Sequence, residues 1–487
     1  MFRIHSVSIR LYILFSCILM TTSAMAADGS AGWEGGVAAG APARAKEYGP
    51  GLHDGGRVCS KAGLYGEVGL YGEVGLYGEA GLYGEAGLRK RFGLRNGPWR
   101  ARLERKDGND IIFNFEVKDS AGRKILYIRN ADERLLVDDV KIKGDSVLIR
   151  LPFFESQLRA VLTAEGNLQG VWLKRGAEKD QSVPFSAVYG ESSRFTPSNK
   201  DHTSNKDHIS VNGRWAVTFR SSDGKDSTFA IGEFVYDKGI VKGTFLTSTG
   251  DYRYLEGVID GDSLRLSCFD GGHAFLFTAK LDSHTSLSGG QFFSGPAYRE
   301  TWTAYKDDKA ALPDEFSLTK WKRDAGPVRF SFPDIDGKTV SLDDDRFKGK
   351  VVLIQIMGSW CPNCMDETRF LSDFYDKYRG KGVEVIGLAY ERTTDFARSQ
   401  NSLRSFQQRF QVKYPMLITG VSVNDPQRSQ KTLPQLDAIV GFPTTIFLDK
   451  KGNIVKIHTG FNGPGTGAHY AEQQKEIYRI VDGLLGE

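Results

Sequence analysis

The chain has 487 residues, 40% of them apolar and 25% charged, with a formal net charge of +4. At about 100–200 residues per domain that length implies roughly three folded units, and the composition excludes both a disordered chain and a multi-span membrane protein. Two of the positive charges, Arg3 and Arg10, lie in a segment expected to be removed, so there is no electrostatic case for nucleic acid, DNA included.

The basic start is followed by an apolar run, Leu11 to Met20, and then by Ala24-Met25-Ala26. The run is too short to span a hydrocarbon core of about 30 Å, and the A-x-A pattern suits a signal peptidase. A signal peptide over residues 1–26 and an exported, periplasmic protein are expected, in a compartment where disulfides persist. Leu14-Phe15-Ser16-Cys17 is a poor lipobox, which keeps a lipid anchor on Cys17 as the weaker reading and membrane association open.

Glycine is in excess, with 56 residues where the usual share of about 7% would give about 34. Nineteen of them fall between Ala27 and Asn96, many in the repeat GLYGEV, GLYGEV, GLYGEA, GLYGEA from Gly63. The triplets contain no proline, which argues against a collagen-like helix, and a short β-helix would leave both ends exposed. Residues 27–96 are expected to be a flexible leader, because so much glycine raises the entropy cost of ordering. Cys59 within it is an incidental thiol, or pairs with Cys268 or with another chain.

From Gly97 the pattern changes to short alternating runs such as Ile111 to Val117 and Ser146 to Leu151, punctuated by Gly, Asp and Asn. Those are strands and turns. Gly97-Pro98-Trp99 recurs as Gly213-Arg214-Trp215, and Lys143-Gly144-Asp145-Ser146 as Asp260-Gly261-Asp262-Ser263. The nearly constant offset marks a degenerate duplication. Residues 97–190 and 211–306 are expected to be two small antiparallel all-β units, each a sandwich or partly open barrel, joined by the polar linker Ser192 to Ser210. Trp99 and Trp215 read better as core residues than as ligand-stacking ones. His202 and His208, beside Asp201 and Asp207, read as linker rather than metal site.

The informative stretch is Gly349 to Glu367, GKVVLIQIMGSWCPNCMDE. Val351 to Met357 is a near-continuous apolar run, as a strand covered on both faces requires. Cys364 to Tyr378 places Phe370, Leu371, Phe374, Tyr375 and Tyr378 at helical spacing. Cys361 and Cys364 therefore sit where a buried strand turns into a helix. Unpaired N–H groups and the macrodipole there favour a thiolate on Cys361. Lowering a thiol pKa from about 8.5 to about 7 raises its ionised fraction at neutral pH from about 3% to one half. Cys364, one turn on, is close enough to close a Cys361–Cys364 disulfide and release a substrate held as a mixed disulfide.

Further elements alternate as an α/β domain needs: a strand from Val383 to Tyr390, a helix from Thr394 to Phe410, a strand from Tyr414 to Ile418, then Thr444 to Leu448, a Lys-Lys-Gly-Asn turn, Ile454 to His458 and a final helix from about Ala468 to Leu485. With Trp360-Cys361-Pro362-Asn363-Cys364 and Gly441-Phe442-Pro443-Thr444-Thr445, residues 324–487 resemble exported thioredoxin-fold proteins of the TlpA/ResA type. The resemblance implies a thiol-disulfide oxidoreductase in which Pro443 is cis and lies against the disulfide, Trp360 and Phe442 contact substrate, and no cofactor or metal is needed beyond the Cys361–Cys364 pair. It further implies disulfide-containing envelope proteins as partners and a membrane thiol donor.

Two departures refine it. Gln355 stands where many thioredoxins carry a buried aspartate, and Glu367 matches a glutamate of the ResA-like group, which makes it the candidate for acid/base work on Cys364. An exposed first-turn glutamate is the alternative. Half of a zinc site would need a second ligand pair, and a peroxiredoxin-type loop would need other residues at Ile354 and Gly358. A reductase is preferred over an oxidase; a module binding an envelope ligand, with accessory redox activity, or a thiol peroxidase are the alternatives.

Overall fold

A computed structural model describes residues 93–152, 155–176, 179–196, 210–322, 324 and 326–486. The expected signal peptide with Cys17, residues 27–92 of the expected leader with Cys59, and His202 and His208 lie outside the described residues; the last four residues of that leader, 93–96, are instead packed on the first barrel, with Leu94 3% exposed. The described residues pack as one compact unit, built from two antiparallel β-barrels and a thioredoxin-like α/β domain.

The first barrel has nine strands between Gly97 and Tyr189. Its first strand, Gly97–Leu103, buries Trp99, Ala101 and Leu103 in alternation with Pro98, Arg100 and Arg102, the period of two that a pleated strand with one inward face requires. That strand pairs with the second, Ile111–Ser120, and with the ninth, Gln181–Tyr189, so the meander curls back on its own start. The two edges of the sheet are the fourth strand, Glu133–Val137, and the fifth, Asp139–Lys143, consecutive through Asp138.

The second barrel repeats this order between Gly213 and Lys306. Gly213–Ser221 pairs with Ser227–Asp237 and with the last strand, Tyr298–Lys306. Here the third strand, Ile240–Thr247, pairs with both the second and the fifth, Leu255–Asp260, and eight strands close into a ring. The fourth strand shrinks to Gly250–Asp251, attached only to the end of the third. Trp99 and Trp215 are both fully buried, and each indole N–H donates to the carbonyl four residues earlier, Arg95 at 3.1 Å and Val211 at 2.8 Å. Equivalent residues thus make the equivalent bond in the two halves.

The last unit has a five-stranded sheet of order β3-β2-β1-β4-β5, with β1 Val351–Met357, β2 Val383–Ala389, β3 Met416–Ile418, β4 Thr444–Leu448 and β5 Ile454–Thr459. β1 is parallel to β2 and antiparallel to β4, and all seven of its residues are buried, as its apolar run requires. The helices are α1 Pro362–Tyr378, α2 Phe396–Phe410, α3 Arg428–Thr432 and α4 Ala468–Gly486. α2 begins two residues later than the sequence reading, because the Asp395 carboxylate caps it by accepting from the Arg398 N–H at 2.6 Å. β3 is shorter than expected, starting after Pro415, which has no N–H for a ladder. Among the described residues no helix is long and apolar enough to cross a membrane.

Candidate redox site

β1 delivers the chain to a turn at Gly358-Ser359-Trp360, and Cys361 becomes the N-cap of α1. Its sulfur accepts from the Cys364 N–H at 3.2 Å, so the helix N-terminus is aimed at the atom that carries negative charge in the thiolate. Cys361 and Cys364 are paired as a disulfide with Cα atoms 5.2 Å apart. Opposite them the Phe442–Pro443 bond is cis, and the Phe442 carbonyl oxygen lies 3.7 Å from the Cys361 sulfur. Trp360 packs edge-on against Phe442 with centroids 5.4 Å apart and donates its indole N–H to the Tyr390 carbonyl at 2.8 Å. Cys361, Cys364, Pro443, Trp360 and Phe442 are therefore gathered at one place.

Glu367 is not an exposed first-turn residue. It is 1% exposed, with its carboxylate accepting from the Gln355 amide at 2.8 Å and the Thr445 hydroxyl at 2.7 Å. Burial pushes its pKa up to about 7, against the pull of those two bonds. Gln355, itself fully buried, orients that carboxyl rather than titrating, and its own oxygen accepts from Thr368 at 3.1 Å. The buried titratable carboxyl thus lies on the helix, one turn beyond Cys364, and the strand position beside it holds an amide.

Sequence reading missed the lid. Ser248 to Tyr254, freed by the shortened fourth strand of the second barrel, lies over the cysteine pair and leaves Cys361 4% exposed. Asp251 accepts from the Asn363 amide at 3.1 Å and from the Gly463 N–H at 2.6 Å. A Cβ on Gly250, at φ +141°, would stand 2.7 Å from the Asn363 side chain, and one on Gly460 2.9 Å from the Thr249 backbone. Both contacts need glycine.

Arg253 anchors the lid. It is 4% exposed, ion-paired with Asp366 of α1 and with Glu133 of the first barrel, the latter at 2.7 Å. Asp270 completes the acidic surround, 3.5 Å from the guanidinium Nε. Burial, reinforced by the Asp251 and Glu133 charges, pushes Asp366 up to about 7 even with Arg253 beside it. All three units thus meet at a buried ion cluster one turn from the disulfide. No periodicity or motif marks Arg253 or Asp251 in the sequence; Asp251 ends a two-residue strand and Arg253 follows it, both far along the chain from the cysteines.

Cys268 is a free thiol, fully buried in the second barrel, where burial raises its pKa well above the ordinary value. Such a thiol is not a nucleophile. Among the described residues no group of three or more His, Cys, Asp or Glu side chains is placed to hold a metal ion.

Residues 322–473 match the protein-family model described as Redoxin. The chain is 31% identical over 127 residues to the thiol-disulfide oxidoreductase ResA of Bacillus thuringiensis subsp. konkukian (strain 97-27), covering 26% of this chain and 64% of the relative. It is 25% identical over 131 residues to the protein of the same name from Bacillus subtilis (strain 168), covering 27% and 64%. The chain therefore spans less than two thirds of the length of these relatives. A crystal structure of a thiol:disulfide interchange protein of the thioredoxin family from Chlorobium tepidum TLS aligns with 22% identity and a TM-score of 0.26, covering 33% of this chain and 99% of that one. The matched relatives fall on the C-terminal third, where the cysteine pair, the cis proline and Glu367 lie.

Proposed function

We propose that the protein is an exported thiol-disulfide oxidoreductase that works through Cys361 and Cys364, in the reducing direction. The Cys361 thiolate attacks a substrate disulfide, forming a mixed disulfide and expelling one substrate thiol. Cys364 then attacks the Cys361 sulfur, expelling the second thiol and closing the Cys361–Cys364 bond. Two electrons pass from the dithiol to the substrate, and two protons accompany them. Glu367 takes the Cys364 proton, its pKa near 7 suiting exchange at neutral pH. The partners are disulfide-containing envelope proteins, with a thiol donor at the membrane restoring the dithiol.

The observation that carries this reading is the placement of the Cys361 sulfur at the N-cap of α1, within 3.7 Å of the Phe442 carbonyl beside cis Pro443. Regional similarity to named oxidoreductases supports it. The test is Cys364→Ser in the full chain, treated with dithionitrobenzoate. A stable adduct mapped to Cys361 is expected, whereas wild type expels a second aromatic thiolate as the ring closes. Adducts confined to Cys59 or Cys268 overturn the assignment.

A further inference from the structure

The lid leaves a cavity beside Cys361 of about 100 Å³. Tyr252, Phe275 and Phe292 of the second barrel line it together with Trp360, Phe442 and Cys361. An apolar cavity of about 150 Å³ is known to hold a benzene ring, so this smaller cleft takes a branched aliphatic side chain more readily than an indole. Its polar wall is fixed independently of any substrate. His273 sits 3.3 Å from the buried Asp270 carboxylate and stacks on Phe275 at 4.5 Å, and Asp251 is held by Asn363 and Gly463.

Two features limit what can reach the sulfur. Cys361 is 4% exposed, so a disulfide on a flat protein surface meets the lid before it meets the thiolate. Moving the lid aside would break the buried contacts of Arg253 with Asp366 and Glu133 and leave those charges unpaired, at a cost in stability. A slender chain reaches the cleft without that cost.

We propose that this cavity is a substrate subsite: it receives an apolar side chain of about leucine size adjacent to the reactive cysteine of an extended polypeptide. This rests on the exchange reading above and adds a selectivity that the second barrel supplies. The substrate cysteine's disulfide is cleaved by Cys361 as before, and the flanking side chain holds its sulfur in line.

Four hexapeptides test it, each with its cysteine activated as the thionitrobenzoate mixed disulfide and with Leu, Gly, Asp or Trp beside that cysteine. Attack by reduced full-length protein releases coloured thionitrobenzoate and places the peptide on Cys361 until Cys364 displaces it as a free thiol; the rate in Cys361→Ser is subtracted. The Leu peptide is expected to react at least about tenfold faster than the Gly and Asp peptides, the scale on which apolar pockets discriminate, with Trp no better than Gly. The same activated cysteine on the surface of a folded domain is expected to react slower than the Leu peptide by a similar factor. Phe292→Ala, by enlarging the cavity, is expected to raise the Trp peptide toward Leu. Equal rates for the four peptides, or a folded carrier matching the Leu peptide, overturn the subsite. Failure of Cys361 to react even with dithionitrobenzoate overturns the exchange reading, and the subsite with it. The wild-type peptide series stands without the Phe292 variant should that variant not fold.

Discussion

The two barrels share strand order and a buried tryptophan, and they part at the fourth strand. In the first barrel Glu133–Val137 stays paired along its length with Arg123–Asn130 and forms an edge of the sheet. In the second the matching segment keeps only two ladder residues, Gly250 and Asp251, and the third and fifth strands pair directly across the gap. Closing the ring without the fourth strand frees Ser248 to Tyr254 to lie on another domain. One duplicated unit has kept a sheet edge while the other has turned the same edge into the lid over the cysteine pair. The two segments still meet, through Glu133 and Arg253.

Breaking that meeting point gives the largest expected effect. Arg253→Met leaves Asp366 and Glu133 without their cation and is expected to lower stability in urea by about 4 kcal/mol, and to speed alkylation of reduced Cys361 by iodoacetamide. The matching position in the first barrel, half-buried Leu136, holds no such cluster, and Leu136→Ala is expected to cost about 1 kcal/mol by loss of apolar contact. Comparable costs at the two positions would remove the distinction between edge and lid.

The shared tryptophans sharpen the comparison from the other side. Trp99→Ala and Trp215→Ala are each expected to cost about 3–5 kcal/mol in denaturant melts, and to within about 1 kcal/mol of each other, because both indoles are buried and make the same backbone bond. A much smaller loss at one would mean that the halves do not share a core plan.

Next in size is the buried acid between α1 and the sheet. Glu367 has a raised pKa, from 4.5 to about 7, so the folded protein holds a proton that the unfolded chain releases above about 4.5. Stability should therefore fall as pH rises from about 4.5 to about 7, by about 3 kcal/mol from this group, and level off above. Glu367→Gln is expected to flatten that fall in melts at pH 5 and 8. In the same variant, release of substrate by Cys364 is expected to slow about 100-fold, with the step in rate near pH 7 gone.

The smallest effect is expected at Gly250. Gly250→Ala puts a Cβ against Asn363 at a positive φ and is expected to cost about 1 kcal/mol, with a few-fold faster alkylation of Cys361. Gly122 of the first barrel, also at positive φ but with open space around its Cβ position, serves as the control: Gly122→Ala should leave Cys361 reactivity unchanged.

Much of this architecture was legible from local pattern. The alternation through Trp99, Ala101 and Leu103 gives an inward strand face, the run Val351 to Met357 gives a strand covered on both sides, and the duplication announces itself in Gly-x-Trp at a near-constant offset. Within the site, Cys361, Cys364 and Glu367 are close in sequence, and Pro443 is marked by its neighbours. Whether Glu367 faced solvent or core was not legible, since a first-turn glutamate suits either. Its burial comes from Thr445 and Gln355, side chains on two other strands.

The sequence by itself determined the setting of the cysteine pair: two thiols one helical turn apart at the end of a buried strand follow from spacing and polarity alone. Only the tertiary structure decided that the sulfur would be covered, which side chains would wall the space beside it, and that Arg253 would tie three units together. The reason is physical. A peeled strand, a guanidinium buried between carboxylates and a glycine pressed against a partner's side chain are all long-range contacts, and each is selected by what lies across the interface rather than by its neighbours along the chain.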